Sequence, residues 1–333
     1  MVNTKVLLAA IAATLIGSPS AMAGYDFTTL TSPTGTLFRA SGINDTGEVV
    51  GSYTDASGTH GFSLIGGVFS TLDFHDATTT VTTTNANGVN GGGEIIGSFN
   101  DSHGFVLNGT MYTQFDVPST VGTTTRGFGI NMKGQLVGTF VNGTSFGFVA
   151  TGLPLGGNLT LINAPPPLPA GPLTGVGVDA GINDAGTVVG SYADSTTRGT
   201  HGFLAIGAST MTLDDPLAPP GGVTAATGIN NVGDIVGYFI DAGGITHGFV
   251  DAGGVYTTID YPHALRFTRV LGVNDLGDLV GDYIDAGGVR RGFVASLTVP
   301  EPNTLALLGI SLAGTMILRR QRKSGIWWRT SAS

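Results

Sequence analysis

Six copies of one short pattern constrain this chain more than any other feature. Gly42-Ile43-Asn44 recurs as Gly88-Val89-Asn90, Gly129-Ile130-Asn131, Gly181-Ile182-Asn183, Gly228-Ile229-Asn230 and Gly272-Val273-Asn274, with Asn-to-Asn spacings of 46, 41, 52, 47 and 44 residues. A Gly stands three residues after each Asn, and a short apolar run ending in Gly follows, as in Val49-Val50-Gly51 and Ile235-Val236-Gly237. Each copy then carries Gly-Phe: Gly61-Phe62, Gly104-Phe105, Gly147-Phe148, Gly202-Phe203, Gly248-Phe249 and Gly292-Phe293. A repeat of this period is one supersecondary unit whose apolar faces are buried by its neighbours.

Each part of the unit reads as strand or turn. Asn-Asp-x-Gly between β-rich runs is a tight hairpin connection in which Gly supplies the positive φ, and Asp-Ala-x-Gly (Asp55–Gly58, Asp241–Gly244, Asp285–Gly288) is a second. A strand into Gly-Ile-Asn, one through Ile-Val-Gly-x-Tyr and one through His-Gly-Phe-Val are followed by a fourth of the kind Val255–Asp260. Its counterparts are Phe69–Phe74, Met111–Asp116, Leu159–Asn163 and Thr210–Asp214. Four short antiparallel strands in about 45 residues is the size of a propeller blade. The sixth copy stops after Gly292–Leu297 without a fourth strand, and Tyr25–Leu30 supplies one. The sequence thus predicts an all-β fold, a six-bladed β-propeller over residues 24–298 closed by its N-terminal strand, which removes the sheet edges of an open array. An open β-solenoid with two coils per unit is the alternative.

Composition agrees with such packing. The 333 residues include 55 Gly and only 11% charged residues, as expected where both faces of most strands are dry. With 41% hydrophobic residues there is ample material for a core, and the Gly lack the G-X-Y period of collagen. The absence of Cys excludes a disulfide scaffold, thiolate zinc sites and thiol catalysis.

The two ends read as addresses. Lys5, the apolar run Val6–Ile16 and the Ala21-Met22-Ala23 cleavage pattern form a secretory signal peptide over residues 1–23, cut by signal peptidase after Ala23. Near the C-terminus Pro300-Glu301-Pro302 precedes an uncharged run, Thr304–Leu318, and then Arg319, Arg320, Arg322 and Lys323. Fifteen helical residues cover about 22 Å, which snorkelling arginines extend to a short transmembrane helix over residues 304–318. The basic cluster keeps that end cytoplasmic and leaves residues 24–302 outside, in the periplasm while the precursor sits in the inner membrane. Residues 324–333 form a short cytoplasmic tail. All 23 acidic residues but only 8 of the 14 basic ones fall within residues 24–302, so the exported part carries −15 against −9 for the whole chain. Such a surface repels nucleic acid and anionic lipid headgroups, which excludes nucleic acid as a partner.

The order Pro-Glu-Pro, short span, Arg cluster over residues 299–323 resembles the PEP-CTERM sorting signal of Gram-negative bacteria. That resemblance implies an exosortase as partner and delivery to the cell surface or the extracellular polymer matrix. The chain departs from the family in continuing past the Arg cluster with Ile326-Trp327-Trp328. Residues 25–297 resemble the HAF repeat family of bacterial extracellular proteins, on Thr59-His60-Gly61-Phe62, Ser102-His103-Gly104-Phe105, Thr200-His201-Gly202-Phe203 and Thr246-His247-Gly248-Phe249. Phe146 and Arg291 replace His in the other two copies. This second resemblance implies export and surface display, with no catalytic or binding residues attached to it.

Candidate chemistry is sparse. The repeat histidines His60, His103, His201 and His247 suggest a ligand ring, yet in four separate blades they stand too far apart for bonds of about 2.0–2.1 Å to one metal ion, which favours bonding within each blade. The turn aspartates lack the oxygen-rich spacing of a calcium loop, and Asp214-Asp215 point to opposite faces of a strand. No nucleophile elbow, P-loop or His-Glu-x-x-His occurs. Tyr53, Tyr192, Tyr238 and Tyr283 recur at strand ends as exposed platforms for extracellular polysaccharide or as blade packing, and the Pro-rich run Ala164–Pro172 reads as a surface loop or a partner-docking arm. The expectation is a non-enzymatic protein with no catalytic, cofactor or metal site, in a structural or adhesive role in the extracellular matrix. The alternative is a propeller enzyme acting on extracellular glycans, which needs a polar cluster in one blade that the other copies lack.

Overall fold

The computed structural model describes residues 24–298 except 32–36, 76–79, 154, 156–158, 167, 169–170, 172 and 195–196. The expected signal peptide, transmembrane helix 304–318, sorting motif and cytoplasmic tail lie outside the described residues. Among the described residues every α- or β-element is a strand, and Tyr25–Leu297 form one compact unit. After β1 (Gly24–Leu30) come β2 (Leu37–Ile43), β3 (Val49–Thr54), β4 (Thr59–Ile65) and β5 (Val68–Leu72). The second four are β6 (Thr84–Val89), β7 (Ile95–Phe99), β8 (His103–Asn108) and β9 (Met111–Phe115). The third are β10 (Thr125–Ile130), β11 (Gln135–Asn142), β12 (Thr144–Thr151) and β13 (Leu159–Leu161). The fourth are β14 (Val176–Ile182), β15 (Val188–Ala193), β16 (Thr200–Ile206) and β17 (Ser209–Leu213), and the fifth β18 (Val223–Ile229), β19 (Ile235–Ile240), β20 (Thr246–Ala252) and β21 (Val255–Ile259). The chain ends with β22 (Thr268–Val273), β23 (Leu279–Ile284) and β24 (Arg290–Thr298).

The first three groups are separate antiparallel sheets. The fourth and fifth are joined into one sheet of eight by a single parallel bridge, Thr200 to Val223, and the last sheet has the order β1-β24-β23-β22. The fourth strands stop short of their expected ends because the backbone leaves the ladder there. The next residues are picked up by a buried Thr of the following sheet instead: Phe74, Val117, Asp215 and Tyr261 donate their N–H groups to Thr84, Thr125, Thr224 and Thr268 at 3.0–3.1 Å.

The two sequence signatures have steric causes. The Gly that ends each apolar run pairs across the ladder with the Phe of Gly-Phe, as Gly51 with Phe62 and Gly281 with Phe293. A Cβ at Gly51 would stand 2.7 Å from the Phe62 ring, and all six of these rings are wholly buried. Each such burial contributes about 2–3 kcal/mol. At Gly-Ile-Asn the inner strands touch backbone to backbone. A Cβ on Gly42 would lie 3.1 Å from Gly88 Cα, one on Gly181 2.8 Å from Gly228 Cα, and one on Gly272 3.2 Å from Gly42 Cα.

Among the described residues the core is divided among six clusters, each spanning two successive groups of strands. Val50 packs with Phe74 and Phe105, Ile96 with Phe140, Val137 with Val176 and Phe203, Val189 with Phe239, and Val236 with Val270. The remaining cluster unites Leu30 of β1 and Val280 of β23 with Phe38 and Phe62 of the first sheet.

Candidate functional site

Each repeat Asn does two things. Its Oδ1 closes the turn, as when Asn44 accepts from the N–H groups of Thr46 at 3.1 Å and Glu48 at 3.0 Å. Its Nδ2 donates to the carbonyl of the next copy's Asn: Asn44 to Asn90, Asn90 to Asn131, Asn131 to Asn183, Asn183 to Asn230, Asn230 to Asn274, and Asn274 back to Asn44, at 2.9–3.3 Å. These residues surround an axial cavity bordered by all six inner strands.

The two ends of that cavity differ in charge. At the turn end stand Asp45, Asp184 and Asp275, linked through backbone and Asn231 amides: Asp275 N–H donates to Asp45 at 2.8 Å and Asn231 N–H to Asp275 at 2.7 Å. At the other end arginines converge. Arg39 of β2 pairs with Asp179 of β14 across the cavity. Arg269 of β22 grips the fully buried Asp282 of β23 with two bonds, 2.9 and 2.8 Å, and Arg290 of β24 approaches the same carboxylate at 3.5 Å. The Arg269 guanidinium lies 5.3 Å from the Tyr238 ring centre and 5.2 Å from that of Phe267. Burial alone would weaken proton binding by Arg269, but the Asp282 carboxylate outweighs it and raises its pKa. Arg126 and Asp101 lie beside this cluster, 3.9 Å apart. Half of the eight cations of residues 24–302 thus gather at one opening of an acidic body. The sequence hides this cluster because it unites Arg269, Asp282 and Arg290 of the last sheet with Arg39, Arg126 and Asp179 of three others; the hint was that Arg39, Arg126 and Arg269 share one repeat position three residues before Gly.

The repeat histidines do not meet in a ring. Each bonds the Asp thirteen residues later on or just beyond its own fourth strand: His60 to Asp73, His103 to Asp116, His201 to Asp214 and His247 to Asp260, at 2.8–3.0 Å. Each also rests against an aromatic ring of the second strand, such as Tyr53 at 5.1 Å and Phe239 at 5.1 Å; in the copy without His, Phe146 packs on Phe140 at 5.4 Å. The spacing of thirteen was visible in the sequence, and the two copies lacking His also lack the Asp. His60 Nε2 also faces Asp55 of the preceding turn at 3.2 Å. Burial would lower the His60 pKa, but the Asp73 and Asp55 carboxylates outweigh it and hold it above the usual imidazole value. Ser57 Oγ lies 2.9 Å from His60 Nε2, giving the order hydroxyl, imidazole, carboxylate. Ser57, however, donates its hydroxyl hydrogen to Asp55 at 2.6 Å, and its hydroxyl and backbone N–H bring Asp55 down to about 2. An imidazole flanked by two carboxylates holds a proton rather than removing one from a nucleophile.

The structure decides between two pairs of alternatives. Tyr53, Tyr192 and Tyr283 are buried and Tyr238 half-buried, so none is an exposed platform. The hydroxyls of Tyr53, Tyr192 and Tyr283 tie the second strand to the fourth, as Tyr53 to Thr71 at 2.9 Å and Tyr192 to Thr212 at 3.0 Å. The Pro-rich run is not an extended arm. Ala164 N–H donates to Gly171 O at 2.8 Å, closing the loop, and Leu168 packs against the core. Asp214 and Asp215 do point apart, Asp214 to His201 and Asp215 into the backbone N–H of Leu217. Among the described residues no group of three or more His, Asp or Glu is placed to hold a metal ion.

Comparison with known families matches residues 298–323 to the PEP-CTERM protein-sorting motif. The chain carries an exosortase-type sorting signal. Pro300, Glu301, Pro302, Arg319, Arg320, Arg322 and Lys323 fall within it. These residues, and Ala21 and Ala23 of the expected signal cleavage site, lie outside the described residues. This signal marks an exported protein whose precursor is processed at the membrane. Among the described residues no helix is long and apolar enough to cross a membrane. Comparison with curated proteins finds no match. Solved structures of similar fold include a gluconolactonase from Xanthomonas campestris, at 12% identity over 82% of this chain and 90% of that one (TM-score 0.49). The β-propeller domain of the Trilobed protease from Pyrococcus furiosus, which has an open velcro topology, is 10% identical over 78% of this chain and 83% of that one (0.48). An Aleuria aurantia lectin bound to Fucα1-6GlcNAc is 11% identical over 79% and 95% (0.48). Among the described residues the fold is all-β, in four-stranded antiparallel sheets two of which are joined.

Proposed function

We propose that the chain is an exported, HAF-type, closed six-bladed propeller with a non-enzymatic, structural or adhesive role in the extracellular polymer matrix. Signal peptidase releases its N-terminus, and exosortase-type processing delivers it from the inner membrane to the surface or matrix of a Gram-negative bacterium. The single observation that carries this reading is the circuit of six Asn side chains, in which Asn274 of the last copy bonds Asn44 of the first. Six inter-sheet clusters that return to their starting sheet support it as well. In such a ring the repeated polar groups serve the scaffold: Asn at the turns, His–Asp between strands three and four, Tyr–Thr between strands two and four. What remains distinct is the arginine-lined mouth, a recognition surface on a rigid frame.

A glycan-active propeller enzyme is the second reading, favoured by the Asp179 and Asp282 carboxylates at that mouth. Both are engaged by guanidinium groups, which suits positioning more than proton transfer. The deciding experiment incubates the purified full-length protein with matrix polysaccharides and scores retention and new reducing ends together. Retention without cleavage is expected; release of reducing ends would overturn the non-enzymatic reading, and no retention on any polymer would overturn adhesion.

A further inference from the structure

The charges at the arginine mouth do not balance. Arg39, Arg269 and Arg290 share two carboxylates, Asp179 and Asp282, so one positive charge is left over. Arg269 forms both arms of a two-bond grip, whereas Arg290 stands off at 3.5 Å and is more than a third exposed. Arg39 Nε is buried and finds no acceptor among the described residues. A guanidinium presents five donors, and these two have donors to spare.

Arg39 and Arg290 both line a cavity of about 560 Å³, between the first sheet and the last, in which they are the charged members. The rest of its wall is Ser52, Thr54, Thr59 and Asn85, with Phe38 and Ile284 as apolar surface. Three hydroxyls and an amide offer donors and acceptors without charge, and Thr54 and Thr59 are already oriented by a mutual bond of 3.0 Å. A second cavity of about 250 Å³ adjoins it through Arg39 and Asn85. A volume of this size admits a sugar ring or two, and paired guanidiniums recognise a carboxylate in the plane of its two oxygens.

Building on the adhesive reading above, we propose that this cavity binds a carboxylate-bearing sugar residue, a uronate unit of an acidic polysaccharide. Arg290 and Arg39 take the carboxylate, and Ser52, Thr54, Thr59 and Asn85 take the ring hydroxyls. Burial, helped by repulsion from Arg269 and Arg39, lowers the Arg290 pKa despite the nearby Asp282 carboxylate, and a bound anion relieves that crowding. Half of the cations of this acidic body gather at this mouth, so such a polymer meets less repulsion there and its binding weakens with salt.

The test uses the full-length protein in nonionic detergent and titrates oligogalacturonate, its methyl ester and inorganic phosphate by calorimetry, each at low and high salt. Oligogalacturonate is expected to bind and its methyl ester not. Arg290→Gln should weaken binding about tenfold to a hundredfold, as for loss of a charged hydrogen bond, and Arg290→Lys by less. Lys133→Gln, which removes a cation from a turn outside this cavity, should change nothing. Equal binding of the methyl ester, phosphate binding as tight as the sugar, an unaffected Arg290→Gln variant, or an equal loss in Lys133→Gln would each overturn the assignment. If neutral matrix polymers are retained while these results go against it, the adhesive reading survives and this site does not. If no polymer binds, both fail.

Discussion

Phe27 gives the sharpest test of how the chain is joined. It sits on β1, at the place Phe69 occupies on β5. Phe69 packs within its own copy, 5.3 Å from Phe62 and 5.5 Å from Tyr53. Phe27 packs instead on residues more than 230 positions away, 5.6 Å from Phe293, the counterpart of Phe62, and 5.3 Å from Tyr261. Truncating a fully buried Phe to Ala costs about 3–5 kcal/mol. Phe27 and Phe69 are half-buried, which brings the packing loss to roughly 2 kcal/mol, and lost ring pairs add about 0.5–1.5 kcal/mol. Phe27→Ala and Phe69→Ala should therefore each cost about 3 kcal/mol, seen in urea melts of the full-length protein as similar drops in midpoint at unchanged slope. Were β1 not zipped to β24, removing Phe27 would cost almost nothing while Phe69→Ala kept its full penalty. That result would refute both the seam and the ring built on it.

Three further outcomes follow from the same geometry. Gly281→Ala places a Cβ 1.9 Å from Arg269 O and 2.9 Å from the Phe293 ring, and should destabilise by at least about 3 kcal/mol in the same urea assay. Asn131→Ala removes the acceptor for Lys133 and Gln135 N–H and the donor to Asn183 O, for a loss of about 3 kcal/mol; Asn131→Asp, which keeps the acceptor, should lose less. His60 binds its proton more tightly folded than unfolded, so its contribution is complete below the unfolded value of about 6.5 and disappears as pH rises through the folded one. The advantage of the parent over His60→Gln should accordingly be larger at about pH 5 than at about pH 8.5, by a few tenths to about 1 kcal/mol for this partly exposed pair. Equal urea midpoint differences at both pH values would show that the carboxylates do not charge the ring.

Much of the fold is local and was legible in the chain. Gly47, Gly93, Gly134, Gly186, Gly233 and Gly277 all adopt the positive φ that the Asn-x-x-Gly turn demands, and each Gly-Phe lies on a third strand, because turn chemistry and period-two packing act over a few residues. Spacing also carried the His–Asp pairs, although the thirteen-residue interval went unread. What no single copy contains is the use of Asn Nδ2, whose acceptor lies 41 to 52 residues on, or 230 back at the seam. Nor does any copy show that tyrosines at strand ends turn inward, since the ring that covers them belongs to another strand. The arginine mouth is the clearest case. Arg39, Asp179 and the Asp282–Arg290 pair are far apart along the chain, and each looks like an isolated surface feature until the sheets converge. Sequence alone laid out the repeated unit; tertiary structure decided which side chains meet, because electrostatic neighbours are set by how sheets are arranged in space and not by order along the backbone.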